Sequence, residues 1–544
     1  MMFKVDPLSI FIAAGVIFFS IATFIYSFGF MREHPRRRGY YFYLILTSLV
    51  SLATALTNNL ILFAGLWGFL GLTLYLLINI NGEIAVPAAK KTLIIIGGTD
   101  ALMLLGIAMV YSLSGSWQMD KIKLDFTTAP SIFAYIFILC AAFAKAGAMP
   151  FHTWVPDCAQ NSPGPVAAFL PASLDKLLGI YLIVRLTFGM FKMSAGLSLI
   201  FMVLGAVTIL SAVMMALVQH DLKRLLGYHA VSQVGYMILG LASANPIGIA
   251  GALFHMANNA IYKSCLFFCA ANVEKKAGSQ DLDKLGGLAK FMPVTYISAL
   301  IASLAISGVP PFNGFFSKWM IYQGVIIKAR EVGPAAGSVV LICLVAAMFG
   351  SALTLASFVK LLHAVFLGVL PSSLENKKIE EKGMGMKIVP LFLALLCLLS
   401  GIFAYKIPFK YLFVGAELKY PGIWNASLAS LLIGLGLFIG LVIFRLKQIR
   451  PVFRQEQAYV GGEPAPRDET RVSGTQFYET IKQFGPLKGI YLRAEAGVFD
   501  IYEQGKNLTF AIGKFLQYLH NGVLPTYLVW TLLGMLGLFL VLVR

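Results

Sequence analysis

Seven ionisable side chains lie inside long apolar runs of this sequence, where lysines and carboxylates can carry out proton transfer. They are Asp100, Lys145, Asp175, Lys176, Lys263, Lys318 and Lys360, and His255 shares such a run. At about 2.5–3 kcal/mol for each charge in a bilayer, seven unpaired charges would cost about 17–21 kcal/mol, more than a typical domain's net stability. The charges must therefore be paired, hydrated or neutral. A lysine that changes its charge readily can relay protons.

Two of these lysines adjoin proline breaks in apolar runs. FAKAGAMPFHTWVPD carries Lys145 and breaks at Pro150, and GVPPFNGFFSKW breaks at Pro310–Pro311 and carries Lys318. The fragments MPFHTW and PPFNGF look like two copies of one helix-breaking motif. Paired interrupted helices in the two halves of a membrane protein are typical of an ion pathway near the midplane. The pattern predicts an ion-translocating membrane subunit.

A polar stripe follows one face of the helix predicted for FHMANNAIYKSCLFF. His255, Asn259 and Lys263 step by four residues and so share this face. Polar stripes also join membrane helices by hydrogen bonds, so a structural role remains the alternative, more so for His255 than for Lys263.

Two neighbouring pairs need separate interpretations. Lys360 and His363 lie near the end of their run, where they either serve the pathway or extend to the membrane surface. Asp175 and Lys176 diverge by about 100° on a helix, so we expect each to have a partner on another helix.

Composition places the chain in a membrane. Hydrophobic residues make up 58% of the 544 residues and charged residues 12%, whereas soluble proteins carry about 25% charged residues. The net charge of +18 comes mostly from short loops between apolar runs, which favours the positive-inside rule over nucleic-acid binding. The first run, from Leu8 to Phe30, is too long for a cleavable signal peptide.

Apolar runs of about 20 residues predict fourteen crossings. They cover residues 8–30, 40–58, 59–80, 91–113, 130–160 (broken), 163–190, 196–218, 222–243, 246–272, 292–328 (broken), 335–368, 387–406, 424–445 and 523–542. With this count the strongly basic loops, such as MREHPRRRG and QHDLKR, share one side, which we expect to be cytoplasmic. Both termini then lie on the non-cytoplasmic side.

One long polar interval, from Gln448 to Asn521, precedes the last crossing. Its first part is rich in turn residues and predicts a loop. From Leu487 onward, apolar residues recur at helical spacing and predict an amphipathic helix of about 30 residues. We expect this helix either to lie on the membrane surface or on a neighbouring subunit, or to be a solvated linker helix.

The sequence contains no motif that indicates nucleotide, metal or disulfide chemistry. The sequence has no phosphate loop, dinucleotide fingerprint or metal-spaced Cys/His cluster, and its six cysteines are scattered. We expect no cofactor, metal or disulfide in this chain.

The motifs resemble the antiporter-like, proton-translocating membrane subunits shared by respiratory complex I, Mrp antiporters, and membrane-bound nickel–iron hydrogenases and formate hydrogenlyase. FAKAGAMPFHTWVPD is similar to the family's seventh-helix lysine motif, which gives Lys145 the central role. The stretches IGGTDALMLLG, HDLKRLLGYHAVSQVGYMILGL, FHMANNAIYKSCLFF and GVPPFNGFFSKW resemble further family motifs. The implied proton pathway comprises Asp100, Lys145, Asp175, Lys176, Lys223, His255, Lys263 and Lys318, with Asp221, Lys360 and His363 as secondary candidates.

The resemblance also implies an all-α polytopic fold with two inverted five-helix repeats, each containing a broken helix. The expected divisions are peripheral helices 1–58, repeats 59–190 and 196–368, peripheral helices 387–445, a cytoplasmic-side loop and amphipathic lateral helix 446–522, and an anchoring helix 523–544.

Three positions depart from the family pattern. Gly68 stands where the family has a glutamate, Pro171 replaces a histidine, and Asn259 replaces a second histidine. We therefore hypothesise that Asp100 or Asp175 supplies the carboxylate that tunes Lys145, with Lys176 extending the route.

The resemblance implies a prokaryotic cytoplasmic (inner) membrane, with other antiporter-like and small membrane subunits as partners. LASFVKLLHAVFLG and residues 459–481 favour the large hydrogenase-type subunit. Peripheral redox subunits with iron–sulfur (Fe–S), nickel–iron (NiFe) or flavin cofactors would then drive proton movement, with Na⁺ exchange left open. The alternatives are a secondary Mrp antiporter without a redox module and a structural subunit whose channel is inactive.

Overall fold

The computed structural model describes residues 2–375, 377, 379–381, 383–404, 426–448 and 474–543. These residues are nearly all helical, with isolated β-bridges and no longer strand among them. The helices are α1 (Pro7–Phe30), α2 (Arg37–Leu56), α3 (Leu60–Ile78), α4 (Val86–Ser114), α5 (Ala129–Ala146), α6 (Trp154–Asn161), α7 (Gly164–Phe169), α8 (Asp175–Val184), α9 (Ala195–Leu217), α10 (Leu222–Ala242), α11 (Pro246–Ala277), α12 (Pro293–Ser307), α13 (Asn313–Glu331), α14 (Pro334–Leu362), α15 (Ser372–Glu375), α16 (Met384–Ile402), α17 (Ala426–Gln448), α18 (Glu479–Gln483), α19 (Gly485–Glu495), α20 (Ile501–Leu519) and α21 (Leu524–Leu542).

Short polar residues mark where many helices begin. The side chains of Asp6, Asn59 and Thr128 accept hydrogen bonds from backbone N–H groups in the first turns of α1, α3 and α5. Asp221 and Asn245 do the same for α10 and α11. These caps satisfy N–H groups that a helix start leaves without partners.

Both predicted broken helices are present. Residues 147–153 separate α5 from α6, and residues 308–312 separate α12 from α13. Each first piece ends at a glycine in the left-handed region, with φ of 75° at Gly147 and 80° at Gly308. The break therefore begins at a glycine that closes the helix and not, as expected, at the proline that follows.

Within the described residues, three π-helical turns interrupt or extend regular helices. Leu170–Leu174 joins α7 to α8, Arg185–Met190 continues α8, and His363–Leu367 continues α14. Such turns leave carbonyl groups without their usual partners, and they often occur at functional sites.

α8 and α10 form the centre of the bundle. Almost every side chain of both helices is buried. α10 packs against α9, α11 and α6, while α8 packs against α5. Helices around this centre expose large apolar side chains such as Ile10, Phe42 and Ile94, as lipid contact favours.

Ten segments of the described residues are long and apolar enough to cross a membrane, and one of them, Leu60–Ser114, contains both α3 and α4. Each of the fourteen predicted crossings coincides with a helix or a broken pair. α11, α12, α13 and α17 are not among the ten segments, so the count of fourteen stays a prediction, as do the inverted repeats. The all-α polytopic membrane fold itself is confirmed.

The chain divides into two compact units, Met1–Gln483 and Phe484–Arg544. In the second unit the predicted amphipathic helix is present in two pieces, α19 and α20, so its expected continuity is wrong. Gly497 takes a φ of 74° between them, and the side chain of Asp500 accepts from the N–H of Tyr502 to start α20. Most of the turn-rich loop predicted ahead of it, residues 449–473, lies outside the described residues.

Candidate functional site

Lys145 lies at the broken end of α5. It is the last residue but one of the helix, and it is 1% exposed. Trp154, at the start of α6, donates from Nε1 to the carbonyl of Ala144 over 2.8 Å, which fixes the two pieces together. A Cβ at Gly147 would lie 2.8 Å from Nζ of Lys176 and 2.6 Å from Val155. Glycine is therefore required here both for its backbone angle and for space.

Two carboxylates flank Lys145. Oδ1 of Asp175 lies 4.0 Å from its Nζ, and this Nζ has no hydrogen-bond partner among the described residues. The ring of Trp67 lies on another side, with its centroid 5.4 Å from Nζ. The same indole donates from Nε1 to Oδ1 of Asp100 over 3.0 Å. Lys145 thus lies beside one carboxylate at ion-pair distance and beside an indole that binds a second carboxylate.

Lys176, the residue after Asp175 on α8, also contacts the end of α5. Its Nζ donates to the carbonyl of Ala146, the last residue of α5, over 2.5 Å. Asp175 and Lys176 therefore both contact α5, and no ion pair between the two is found among the described residues. A helix C-terminus carries partial negative charge, which stabilises an ammonium group placed there.

The π-helical turn Leu170–Leu174 connects this cluster to α11. Ser264 of α11 donates from Oγ to the carbonyl of Ala168 over 2.8 Å. Asn259 donates from Nδ2 to the carbonyl of Ala172 over 3.4 Å, and its Oδ1 is buried without a hydrogen-bond partner among the described residues. Asn259, where the resemblance implied a histidine, thus meets the turn that contains Pro171.

Lys263 lies on α11 against α10. Its Nζ donates to the carbonyl of Leu226 over 2.8 Å, between the rings of Phe267 and Phe358 at 6.0 and 5.7 Å. Nearby, His229 contacts Oγ of Ser357 through Nε2 at 2.7 Å and is fully buried. His229 was not among the residues predicted from the sequence, although it lies within residues 220–241, which carry the family-like motif beginning HDLKR.

His255 bridges α10 and α13. Its Nδ1 lies 2.9 Å from Oγ of Ser317, and its Nε2 lies 3.1 Å from Oε1 of Gln233. The hydroxyl of Tyr262 approaches the same Gln233 oxygen at 3.4 Å. Ser317 directly precedes Lys318, so His255 is joined to the second broken helix through one hydroxyl. Gln233 was not among the residues predicted from the sequence.

Lys318 repeats the arrangement found at Lys176. Its Nζ donates to the carbonyl of Ile306, at the end of the first piece of the broken helix α12–α13, over 2.9 Å. It also donates to Oγ of Ser351 over 2.9 Å and lies 4.6 Å from the ring centre of Tyr236. In both halves, then, a buried lysine amine binds the carbonyl end of an interrupted helix.

The remaining predicted residues lie at helix ends. Nζ of Lys223 lies 3.0 Å from Oε2 of Glu274 and donates to the carbonyl of Ser162 over 3.0 Å. Asp221 caps α10, and burial raises the pKa of its carboxyl even though the N–H of Arg224 opposes the shift.

Lys360 is 1% exposed, so it does not reach the membrane surface. Its Nζ donates to the carbonyls of Leu217 and Gln219 at the end of α9, over 2.7 and 2.8 Å. His363 begins the π-helical turn that follows α14.

The predicted residues therefore form two clusters and an edge group. Asp100, Lys145, Asp175 and Lys176 make the first cluster; His255, Lys263 and Lys318 make the second; Asp221, Lys223, Lys360 and His363 lie at helix ends. The π-helical turn and Asn259 separate the two clusters, and no hydrogen bond within the described residues joins them directly.

All six cysteines are free thiols. Within the ranges given above, no group of three or more His, Cys, Asp or Glu residues is arranged to hold a metal ion. The described part of the chain is a membrane bundle, in which buried lysines, carboxylates and a histidine lie at two interrupted helices.

Comparison with known proteins assigns this bundle to a family. Residues 57–344 match the family described as "NADH:quinone oxidoreductase/Mrp antiporter, TM", and the chain belongs to that family. It is an antiporter-like, multi-pass membrane subunit, as the motifs predicted. The family segment includes Lys145, Lys176, Lys263 and Lys318.

The similar proteins include both an antiporter subunit and an oxidoreductase subunit. The chain is 31% identical over 424 residues to the Na⁺/H⁺ antiporter subunit A1 of Staphylococcus haemolyticus, covering 73% of this chain and 52% of that one. It therefore spans about half the length of that relative. It is 32% identical over 379 residues to the NADH-quinone oxidoreductase subunit N of Desulforudis audaxviator, covering 68% of this chain and 73% of the relative.

A solved structure has the same fold along nearly the whole chain. It is that of the membrane-bound sulfane sulfur reductase, an archaeal respiratory membrane complex. The matched subunit aligns with a TM-score of 0.78 and 22% identity, covering 99% of this chain and 89% of the other. At this identity the likeness shows the fold alone.

Proposed function

We propose that this chain translocates protons along the buried axis Asp100, Lys145, Asp175, Lys176, Lys223, His255, Lys263 and Lys318. The observation that carries the proposal is the position of Lys145, buried 4.0 Å from Asp175 without a hydrogen-bond partner among the described residues. A loosely held ion pair in a low-dielectric interior responds strongly to a neighbouring charge. A proton arriving on one lysine disfavours the charge on the next, which drives stepwise transfer.

The driving force we favour is redox chemistry in partner subunits, in a complex of the hydrogenase or complex I type. Support comes from the likeness of residues 355–368 and 459–481 to the large hydrogenase-type subunit, together with the NADH-quinone oxidoreductase relative. Fe–S, NiFe or flavin groups would then belong to the peripheral partners. The basic loops would face the cytoplasm, with both termini on the other side.

The Mrp-type secondary antiporter is the second candidate, favoured by the 31% identity to a Na⁺/H⁺ antiporter subunit. In that case the same axis would exchange protons for Na⁺ without a redox module. The two candidates differ in what drives the ion. An antiporter generates a cation-dependent pH gradient in vesicles that contain this chain and its membrane partners alone, whereas a redox-driven subunit moves protons only during electron transfer and co-purifies with Fe–S proteins.

Lysine substitutions test the axis itself. The intact complex is purified with its partners, reconstituted in vesicles, and assayed for proton movement with a pH-sensitive dye. Lys145→Ala and Lys263→Ala should each abolish pumping, whereas Lys284→Ala, at a lysine 71% exposed, should leave it unchanged. Undiminished pumping in both core variants would instead identify an inactive channel, the outcome that Gly68 and Pro171 make relevant.

A further inference from the structure

The buried amine of Lys223 meets a carboxylate that reaches water. The Lys223 side chain is 1% exposed, and its Nζ lies 3.0 Å from Oε2 of Glu274, whose side chain is 28% exposed. The same Nζ donates to the carbonyl of Ser162 at the end of α6. Glu274 therefore stands between bulk water and a lysine that is otherwise enclosed.

Lys263 is the next buried lysine toward the interior from the pair Lys223–Glu274. Leu226, whose carbonyl accepts from Lys263, follows Lys223 by three residues on α10 and so lies one turn deeper. On α11, Glu274 follows Lys263 by eleven residues, which is about three turns, or about 16 Å along the same helix face. Two adjacent helices thus align a carboxylate that is 28% exposed, a buried lysine and a second buried lysine.

Charged and titratable groups around Glu274 come from several elements. Asp221, before α10, and Tyr26, on α1, lie close enough to interact with it electrostatically. On its own helix, Lys275 donates to the two carbonyls at the end of α1. Lys377, after α15, donates to the carbonyl of the last residue of α11. Among the described residues, the cation at ion-pair distance from Glu274 is Lys223.

We propose that Glu274 loads Lys223 with protons from the aqueous face. This step rests on the proposed proton translocation. After Lys223 has released a proton inward, the Glu274 carboxylate takes a proton from water, which leaves hydroxide in the aqueous phase. The new O–H bond then breaks as an N–H bond forms on Lys223, and this restores the ammonium and the carboxylate. Attraction between the ammonium and the carboxylate favours the loaded state, so the pair acts as an inlet.

The test uses the intact complex in vesicles, with Glu274→Gln, Glu274→Asp and the control Glu33→Gln, at an exposed glutamate in the loop after α1. Glu274→Gln should slow pumping by about tenfold or more at alkaline pH, because a general acid is missing, and less at acidic pH. Glu274→Asp and Glu33→Gln should retain most of the activity. Added azide, a small diffusible weak acid, should raise the pumping rate of Glu274→Gln relative to that of the wild type under the same conditions, because it delivers protons to Lys223.

Two results would overturn the inlet. One is wild-type pumping by Glu274→Gln at every pH; the other is a loss that is equal at every pH and indifferent to weak acids, which would mark a structural role. In either case Lys145→Ala, measured in parallel, separates the hypotheses. If Lys145→Ala abolishes pumping, translocation along the axis stands and the inlet alone fails. If Lys145→Ala also pumps normally, the proposed function fails.

Discussion

The indole of Trp67 donates a hydrogen bond to Asp100, 3.0 Å from Nε1 to Oδ1, and its ring also faces the amine of Lys145. This contact joins α3 to α4 beside the first broken helix. The next residue is Gly68, where the resemblance implied a glutamate, and a Cβ built there would have nothing within 4 Å. A side chain at position 68 would therefore point away from this cluster, and the nearby carboxylates come from Asp100 and Asp175.

Removing either carboxylate charge should impair pumping. Asp100→Asn and Asp175→Asn should each lower coupled proton pumping by about tenfold, a difference of about 1.4 kcal/mol, because Lys145 loses a group that stabilises its charged form. Trp67→Phe keeps a ring over Lys145 but removes the N–H donor, so its effect should be smaller. Pumping is measured in reconstituted vesicles of the intact complex.

Asp120→Asn is the matched control for these variants. Asp120 is an exposed carboxylate bound by Asn58 and Lys4 in a loop outside the bundle. Its replacement should not change pumping. Normal pumping by both Asp100→Asn and Asp175→Asn would reject the role given to the carboxylates.

Gly147 should be irreplaceable for two separable reasons. Gly147→Ala imposes a positive φ on alanine, which costs about 1–2 kcal/mol, and it also places a Cβ 2.8 Å from the amine of Lys176. Gly115→Ala shares the first penalty, with a φ of 65°, but its Cβ has open space. Both variants should lower the thermal unfolding midpoint, and Gly147→Ala should in addition reduce pumping.

The comparison between the two glycines isolates the clash with Lys176. Equal pumping in Gly147→Ala and Gly115→Ala would mean that the position of this amine does not matter for transport. A larger loss in Gly147→Ala, at similar residual folding, would support a functional requirement for the contact between Lys176 and the end of α5.

The sequence carried enough information to predict the helices and the ionisable clusters. Each predicted crossing lies within a few residues of a helix or broken pair, because long apolar runs in a membrane protein have only the helix as a way to satisfy their backbone. Lys145, Lys176, Lys263 and Lys318 were found because charge inside an apolar run is conspicuous. Proline marked the two breaks, although glycine begins them.

Partners that are uncharged or ordinary in sequence were not predictable. Gln233, Ser317 and Ser351 bind His255 or Lys318, but serine and glutamine within membrane helices usually form local structural bonds. Glu274 lies in the basic stretch VEKK, a composition that is typical of a solvated helix end. Only the tertiary packing of α10 against α11 places it beside Lys223.

Asn272 should be a major source of bundle stability. Its Nδ2 donates to Oγ1 of Thr295 and to the carbonyl of Met386, at 3.1 and 2.9 Å, and its Oδ1 accepts from the hydroxyl of Tyr26 at 2.8 Å. Four helices, α1, α11, α12 and α16, therefore meet at one amide. Membrane hydrogen bonds between helices average about 0.6 kcal/mol, so Asn272→Ala should cost about 2 kcal/mol.

Thermal unfolding of the purified complex in detergent measures this cost. The control is Asn81→Ala, at a surface asparagine that makes one hydrogen bond to the carbonyl of Asn161. Asn272→Ala should lower the unfolding midpoint clearly more than Asn81→Ala does. Similar midpoints would contradict the view that the amide holds the four helices together.

The ion pair between Asp6 and Arg185 should make stability depend on acid pH. The guanidinium lies 2.6 Å and 2.7 Å from the two carboxylate oxygens of Asp6 and also donates to Ser9. Burial alone would raise the pKa of Asp6, but the hydrogen bonds from Arg185 and the Ser9 N–H hold it below its ordinary value. A carboxyl with a lowered folded-state pKa contributes stability above its unfolded pKa of about 3.9, and this is lost as pH falls through the folded value.

Asp6→Asn should therefore destabilise the protein by about 1.5–3 kcal/mol at pH 7, the range for hydrogen bonds to charged groups. Between pH 7 and about pH 5 the difference from the wild type should be constant, and below about pH 4 it should shrink, because the wild-type carboxylate then becomes protonated as well. Unfolding midpoints measured across this pH range test the sign. Exposed ion pairs contribute only about 0–1 kcal/mol to stability. The pair therefore does not anchor α1 to the end of α8 if the loss of stability in Asp6→Asn grows on acidification. The same conclusion holds if that loss equals the loss in the exposed Asp120→Asn at neutral pH.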